Sequence, residues 1–171
     1  MRTRAQREAE FSDYVARRRT HLFRTAWLIC GDSHLAEDLV QQTLTKLYVS
    51  WHRLREESAV DAYARRILVN THLDEVRRPF RRSERSAPDD ELDRAGRMDL
   101  AYEDLDDLGA ALRALPPGQR TVVVLRHYWG LSVNETADTL GIAPGTVKSQ
   151  TFEAIAQLRR TLEPTTTTGK G

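Results

Sequence analysis

The chain is poor in the residues that would tie it to a secreted, metal-binding or catalytic role. One cysteine, Cys30, in 171 residues excludes an intrachain disulfide and has no companions for a zinc site. It lies in the apolar run from Ala26 to Cys30 and reads as a buried structural thiol. The five histidines (His21, His34, His52, His72 and His127) are scattered without metal-ligand spacing, so no metal, cofactor or catalytic centre is expected. No G-x-x-x-x-G-K-[ST] run is present, and nucleotide hydrolysis is not implied. No apolar stretch approaches the roughly 18 residues of a membrane span, and the first residues lack a signal-peptide core. A cytoplasmic protein without membrane insertion is expected. Strand patterns are almost missing, while apolar residues recur at helical spacing throughout. Lysine is scarce: of 26 basic residues only Lys46, Lys148 and Lys170 are not arginine. The planar guanidinium suits phosphate and base recognition, although a GC-rich coding bias gives the same skew.

What is present is patterned charge. The net charge of +1 conceals 17 basic and 12 acidic side chains in residues 1–85, 2 and 9 in residues 86–107, and 7 and 4 in residues 108–171. Two basic segments flank an acidic connector, which suits contact with nucleic acid at both ends. A hydrophobic content of 40% supports folded cores, and 30% charged residues imply much solvated surface.

The periodicity predicts a first helix from about Gln6 to Cys30, with Phe11, Tyr14, Val15, Leu22, Ala26 and Trp27 on its inner side. Gly31-Asp32-Ser33 breaks and recaps the chain. A second helix, Ser33 to Trp51, puts Leu35, Leu39, Val40, Leu44, Leu47, Tyr48 and Trp51 on a core stripe. Opposite them Asp38, Gln41, Gln42 and Thr45 fall at i, i+3, i+4 and i+7, a polar stripe that the core leaves open. A third helix is expected after Ser58, with Asp61 three residues on, ending near Arg78 because Pro79 cannot continue it. Residues 86–104 read as an acidic flexible linker, and helical periodicity resumes near Leu105. Pro116-Pro117-Gly118 turns the chain into a further helix that Gly130 ends. The tail, 164–171, is expected to be disordered. The expected fold is all-α: two small helical domains, 1–85 and 105–163, joined by the tether at 86–104.

The stretch Ser132 to Thr151 reads as a helix-turn-helix. Ser132 and Glu135 form an S-x-x-E capping box, Ala137 lets a second helix cross closely, and Gly141 suits the turn. Pro144 fits the first turn of the next helix, where its missing N–H is no loss. Val133, Leu140, Ile142 and Val147 supply the seam. Thr146, Lys148, Ser149, Gln150, Phe152 and Glu153 remain near the outer side, rich in hydrogen-bonding groups and suited to a DNA groove. On the third helix Arg66, Asn70, Asp74, Arg77 and Arg81 follow one stripe bordered by Tyr63. Arg77, Arg78, Arg81, Arg82 and Arg85 put five guanidiniums within nine residues. Cations beside an aromatic and an amide can hold phosphates and stack on, or bond to, an unpaired base.

These motifs together resemble the extracytoplasmic-function (ECF, group 4) sigma factors of the sigma-70 family, of actinobacterial type. The resemblance spans about residues 8–162. Asp38-Leu-Val-Gln41 is similar to region 2.2; Ile67-Leu-Val-Asn70 through Asp74-Glu-Val-Arg-Arg78 is similar to regions 2.3 and 2.4. Leu115-Pro-Pro-Gly-Gln-Arg120, Val124-Leu-Arg126 and Gly145-Thr-Val-Lys-Ser149 are similar to region 4. The resemblance implies a non-catalytic specificity subunit that binds core RNA polymerase, recognises −35 DNA and melts the −10 element. It would act in the cytoplasm, at the nucleoid when in holoenzyme.

By the same resemblance Asp38, Gln41, Gln42 and Thr45 would dock on the β′ clamp helices. Tyr63, Arg66, Asn70, Asp74, Arg77, Arg78, Arg81 and Arg82 would engage −10 DNA, with Asn70 near the flipped base and 78–85 as the specificity loop. Thr146, Lys148, Ser149, Gln150, Phe152 and Glu153 would meet −35 DNA. Leu112, Val123, Leu125 and Tyr128 would supply a β-flap pocket, though most of them must be core. The acidic tether would follow the polymerase cleft along the path of nascent RNA. An anti-sigma factor is an expected partner; no small-molecule substrate is. The sequence departs from the family at Gln150 and Glu153, where arginine is usual, at Tyr63, usually tryptophan, and at Val69, often arginine. Weaker or altered −35 binding is the expectation. The alternative reading is a stand-alone helix-turn-helix regulator, against which the third helix's stripe argues.

Overall fold

A computed structural model describes residues 1–78 and 106–163. The chain divides into two compact units, Met1–Leu100 and Ala101–Gly171, and every described regular element is helical.

The first unit contains α1 (Arg4–Cys30), α2 (Ser33–Ser50), a 3₁₀ turn (Trp51–Arg53) and α3 (Glu57–Arg77). Helix α1 starts two residues earlier than its apolar periodicity suggests, because Thr3 and Gln6 make a reciprocal capping box. The Gln6 amide donates to Thr3 Oγ1 at 3.2 Å and the Thr3 amide to Gln6 Oε1 at 2.8 Å. Gly31 ends α1 in the left-handed region, φ 73°, and donates to Trp27 O at 2.7 Å. Asp32 then accepts from the Leu35 amide at 2.8 Å and caps α2. One glycine and one aspartate thus reverse the chain without a longer loop.

The core forms where α1, α2 and α3 meet. Ala26, Ala36 and Ala64 are fully buried and allow the helices to approach around Leu22, Ile29, Leu39, Val40, Leu47 and Leu68. Cutting Leu47 back to alanine would cost about 2–5 kcal/mol. Tyr48, expected in this core, is 46% exposed. Its ring meets Phe11 edge-on at 5.0 Å, at the margin of the Phe11–Trp51–Tyr14 aromatic group. Cys30 is half-buried, not buried, and its thiol donates to Asp32 O at 3.2 Å. The start of α3 also differs from expectation. Its N-cap is Glu56, with no side-chain cap bond. Asp61 is engaged across the unit instead, accepting from Tyr14 Oη at 2.9 Å and from Arg18 Nε at 2.9 Å.

In the second unit, α4 (Asp106–Arg113) and α5 (Pro117–Val123) are followed by a π-helical turn, Val124–Tyr128, then α6 (Val133–Leu140) and α7 (Pro144–Leu162). Arg120 closes the end of α4 by donating to the carbonyls of Leu112, Arg113 and Leu115 at 2.8, 3.0 and 3.1 Å. The π turn shows in the Trp129 amide reaching back to Val124 O at 3.0 Å. Helix α6 carries the full Ser132–Glu135 capping box, and Gly141 ends it at φ 65°. Val122, Ala137 and Val147 are the buried centre of the helix-turn-helix, with Val133, Leu140 and Ile142 packed around them. Val122 reaches this seam from α5.

Candidate polymerase and nucleic-acid interfaces

Helix α2 turns Ala36, Leu39, Val40, Thr43, Leu44 and Leu47 inward. The 3.6-residue period then leaves Asp38, Gln41, Gln42 and Thr45 outside, and all four are exposed. The Thr45 hydroxyl bonds back to Gln41 O at 2.8 Å, which leaves the four as one ribbon along the helix. The ribbon continues into an apolar end that the sequence reading missed: Val49, four residues past Thr45, is 70% exposed. The signal was the i+4 spacing itself.

Helix α3 buries Val60, Ala64, Leu68, Val69, Thr71 and His72. Its opposite side carries Tyr63, Arg66, Asn70, Asp74, Arg77 and Arg78, all exposed. Tyr63 is 37% exposed, its hydroxyl 3.2 Å from Ser50 Oγ on α2. The ring is thus tied to α2 at its hydroxyl and partly exposed. Val69 is fully buried, so this position belongs to the core. Arg81 and Arg82 of the −10 set, with Arg85 and the 86–104 linker, lie outside the described residues, as does the 164–171 tail.

The orientation of α3 is fixed by polar contacts as well as by packing. Arg18 and Tyr14 of α1 converge on Asp61, the second Arg18 bond being an ion pair to Asp61 Oδ2. Burial first, and then the Asp61 carboxylate, pushes the Tyr14 phenol well above its ordinary value. Hydrogen bonding to Asp61 raises Arg18. On the other flank Lys46 Nζ of α2 donates to Thr71 Oγ1 at 3.0 Å. His21, half-buried nearby, is held below the usual imidazole value by burial and by Arg18.

In the second unit Thr146, Lys148, Ser149, Phe152 and Glu153 of α7 are exposed, and Gln150 is half-buried. Phe152 is 77% exposed, an unusual position for a large apolar ring. Ser149 Oγ donates to Thr146 O at 3.1 Å. Gln150 and Glu153 turn toward the start of α5: Glu153 accepts from Gln119 Nε2 at 2.9 Å, and the Gln150 amide lies over Gly118. Gln119 was not among the residues singled out from sequence, because its partner is 34 positions away. Leu112, Val123 and Leu125 are buried, and only Tyr128 of the expected flap-pocket set reaches the surface.

Among the described residues no group of His, Cys, Asp and Glu is arranged to hold a metal ion. No described helix is long and apolar enough to cross a membrane.

Both units match known protein families. The family model described as Sigma-70 region 2 matches residues 14–82, and that described as Sigma-70, region 4 matches residues 105–158. An RNA polymerase sigma-E factor of Streptomyces avermitilis is 38% identical over 156 residues, covering 90% of this chain and 86% of the relative. Its counterpart in Streptomyces coelicolor is 37% identical over 155 residues, with the same coverage of both. The ECF RNA polymerase sigma factor SigE of Mycolicibacterium smegmatis is 34% identical, over 87% of this chain and 60% of the relative. Among solved structures, the sigma factor RpoE in complex with the anti-sigma factor NepR from Bartonella quintana aligns with a TM-score of 0.69 and 26% identity. The alignment covers 90% of this chain and 96% of that one.

Proposed function

The chain belongs to the sigma-70 family of RNA polymerase sigma factors, in the ECF group, and we propose how its surfaces divide the work of promoter-specific initiation. The observation that carries the reading is the exposed stripe of α3. It places a partly exposed aromatic ring, an amide and guanidiniums on one side of a helix whose other side is packed into the core.

In this reading residues 1–85 bind core polymerase and melt the −10 element. Asp38, Gln41, Gln42 and Thr45, extended by Val49, dock on the β′ clamp helices. Arg66, Arg77 and Arg78, joined by Arg81 and Arg82 further along the chain, hold phosphates. A base leaving the duplex stacks on Tyr63 and bonds to Asn70. Extrusion costs a few kcal/mol, while stacking on an aromatic ring returns about 1–3 kcal/mol per base, so the phosphate contacts decide the balance. Asp74 lies in the same stripe and disfavours phosphate beside it, directing the strand toward its cationic ends.

Residues 105–163 present α7 to the −35 major groove. Lys148 reaches a phosphate or a guanine edge, and Phe152 meets a thymine methyl or a sugar. Tyr128 is the surface residue for the β flap. Each half binds weakly and gains affinity from being tethered to the other through the polymerase. The protein itself performs no catalytic step, acts in the cytoplasm at the nucleoid, and is held in reserve by an anti-sigma factor that covers these surfaces.

Run-off transcription with purified core polymerase and genomic DNA fragments tests the reading. Specific transcripts that require this protein are the expected result. Tight binding to duplex DNA without association with the polymerase would favour a stand-alone regulator instead.

A further inference from the structure

Glu153 stands on the DNA-facing side of α7, where its charge opposes the phosphate backbone. Its carboxylate is nevertheless not left to swing. Oε2 accepts from Gln119 Nε2 at 2.9 Å, across from the first turn of α5. The remaining Gln119 atom is informative: Oε1 is buried and has no hydrogen-bond donor among the described residues. Turning the amide over would bring that oxygen against the carboxylate, acceptor to acceptor, so Glu153 itself fixes which way Gln119 points. One turn earlier, the Gln150 amide lies over Gly118, where an added Cβ would sit 3.5 Å from Gln150 Nε2. The start of α5 therefore holds Glu153 by a hydrogen bond and lies beside Gln150.

We infer that Gln119 is a specificity-determining positioning residue, holding Glu153 so that its second oxygen accepts from the exocyclic amine of a cytosine in the −35 major groove. The inference rests on α7 meeting −35 DNA as proposed above. The bond to Gln119 engages one carboxylate oxygen, leaves the other available and opposes rotation away from the groove when phosphates approach. The four bases then separate by chemistry. Cytosine offers the N4 donor, whereas guanine and thymine present O6 and O4 acceptors that repel a carboxylate. Adenine also offers a donor, N6, but sets the N7 acceptor beside it. Exclusion of guanine and thymine is as much a part of the selectivity as attraction to cytosine.

The test uses holoenzyme assembled from core polymerase and the full chain, transcribing a promoter library randomised across the −35 element. The wild type should enrich cytosine at one position. Glu153→Gln should weaken that preference roughly tenfold and move it toward adenine, the base that glutamine favours. Gln119→Ala should flatten the same position, leaving the other positions and core affinity unchanged. Gln119→Glu, which sets a like charge against Glu153, should flatten it further. A Gln119→Ala profile identical to the wild type overturns the inference, as does a wild-type profile with no cytosine-preferring position. Enrichment of adenine there in the wild type overturns the assignment to cytosine. If the wild type gives no specific transcripts, the proposed function fails; if transcripts form but ignore both residues, only this inference fails.

Discussion

His21 links a single side chain to the pH dependence of the first unit. Burial and the Arg18 cation, with a smaller contribution from Arg24, hold its imidazole below the ordinary value of 6.5, and Asp61 only partly opposes them. The folded state thus binds fewer protons than the unfolded chain in the window below pH 6.5. The stability that neutral His21 contributes is complete above that value and is lost as pH falls through its lowered folded value. Urea unfolding of the wild type should therefore show a loss as pH falls below 6.5 that is smaller in His21→Gln; equal losses in the two proteins would remove His21 from the account. Residue identity alone gave little warning of this. The sequence shows five scattered histidines, and what distinguishes His21 is Arg18 one turn before it together with an α3 carboxylate 40 positions on. Asp61 teaches the same lesson: read locally it is an acid near a helix start, but its partners Tyr14 and Arg18 are 47 and 43 positions away.

At the scale of elements, legibility follows the range of the interactions that define each one. The helix-turn-helix is legible because its signals are local. Ser132 and Glu135 are three residues apart, Gly141 supplies its own positive φ, and Pro144 suits the start of α7. The outer stripes of α2 and α3 are legible because the core imposes a 3.6-residue period on everything else. Thr3–Gln6 carries the same local capping grammar, yet an apolar count cannot see it, since the first turn of α1 is polar. Tyr48 was placed inside because it lies at the edge of the α2 stripe, where periodicity does not choose between rim and core. The π turn at Val124–Tyr128 left no pattern that a helical period would detect. Replacing Ser132 by alanine removes one half of the box and should lower the stability of the second unit by about 1 kcal/mol in urea unfolding. Asn at the same position should retain most of it, since Asn caps as well as Ser; equal stability of all three proteins would show that the cap contributes nothing.

Along the sequence 24 of the 26 basic residues fall on either side of the acidic stretch 86–107, and the behaviour of the chain with salt should reflect that. Promoter affinity of the holoenzyme should fall steeply with ionic strength, because each neutralised phosphate releases counterions. Arg66→Ala and Arg77→Ala should each reduce the slope of log affinity against log salt by about one, with little change in base preference. Substitution at Lys148 should do the same at the −35 end unless it reads guanine, in which case base preference also shifts. An unchanged slope in the α3 variants would remove that stripe from the phosphate contacts. Two-part recognition also makes it useful to watch one unit within the complete assembly, and the junction of α1 and α2 offers the means. Cys30 is the one thiol in the chain, half-buried and bonded to a backbone carbonyl just past the Gly31 turn. A thiol-directed dye would attach at a single residue of this chain, one that is not part of the α2 ribbon or the α3 stripe. Because the thiol is only half-buried, labelling proceeds in the folded state and would speed up if the α1–α2 turn loosened. The wild-type chain thus carries its own clock for the integrity of its first unit.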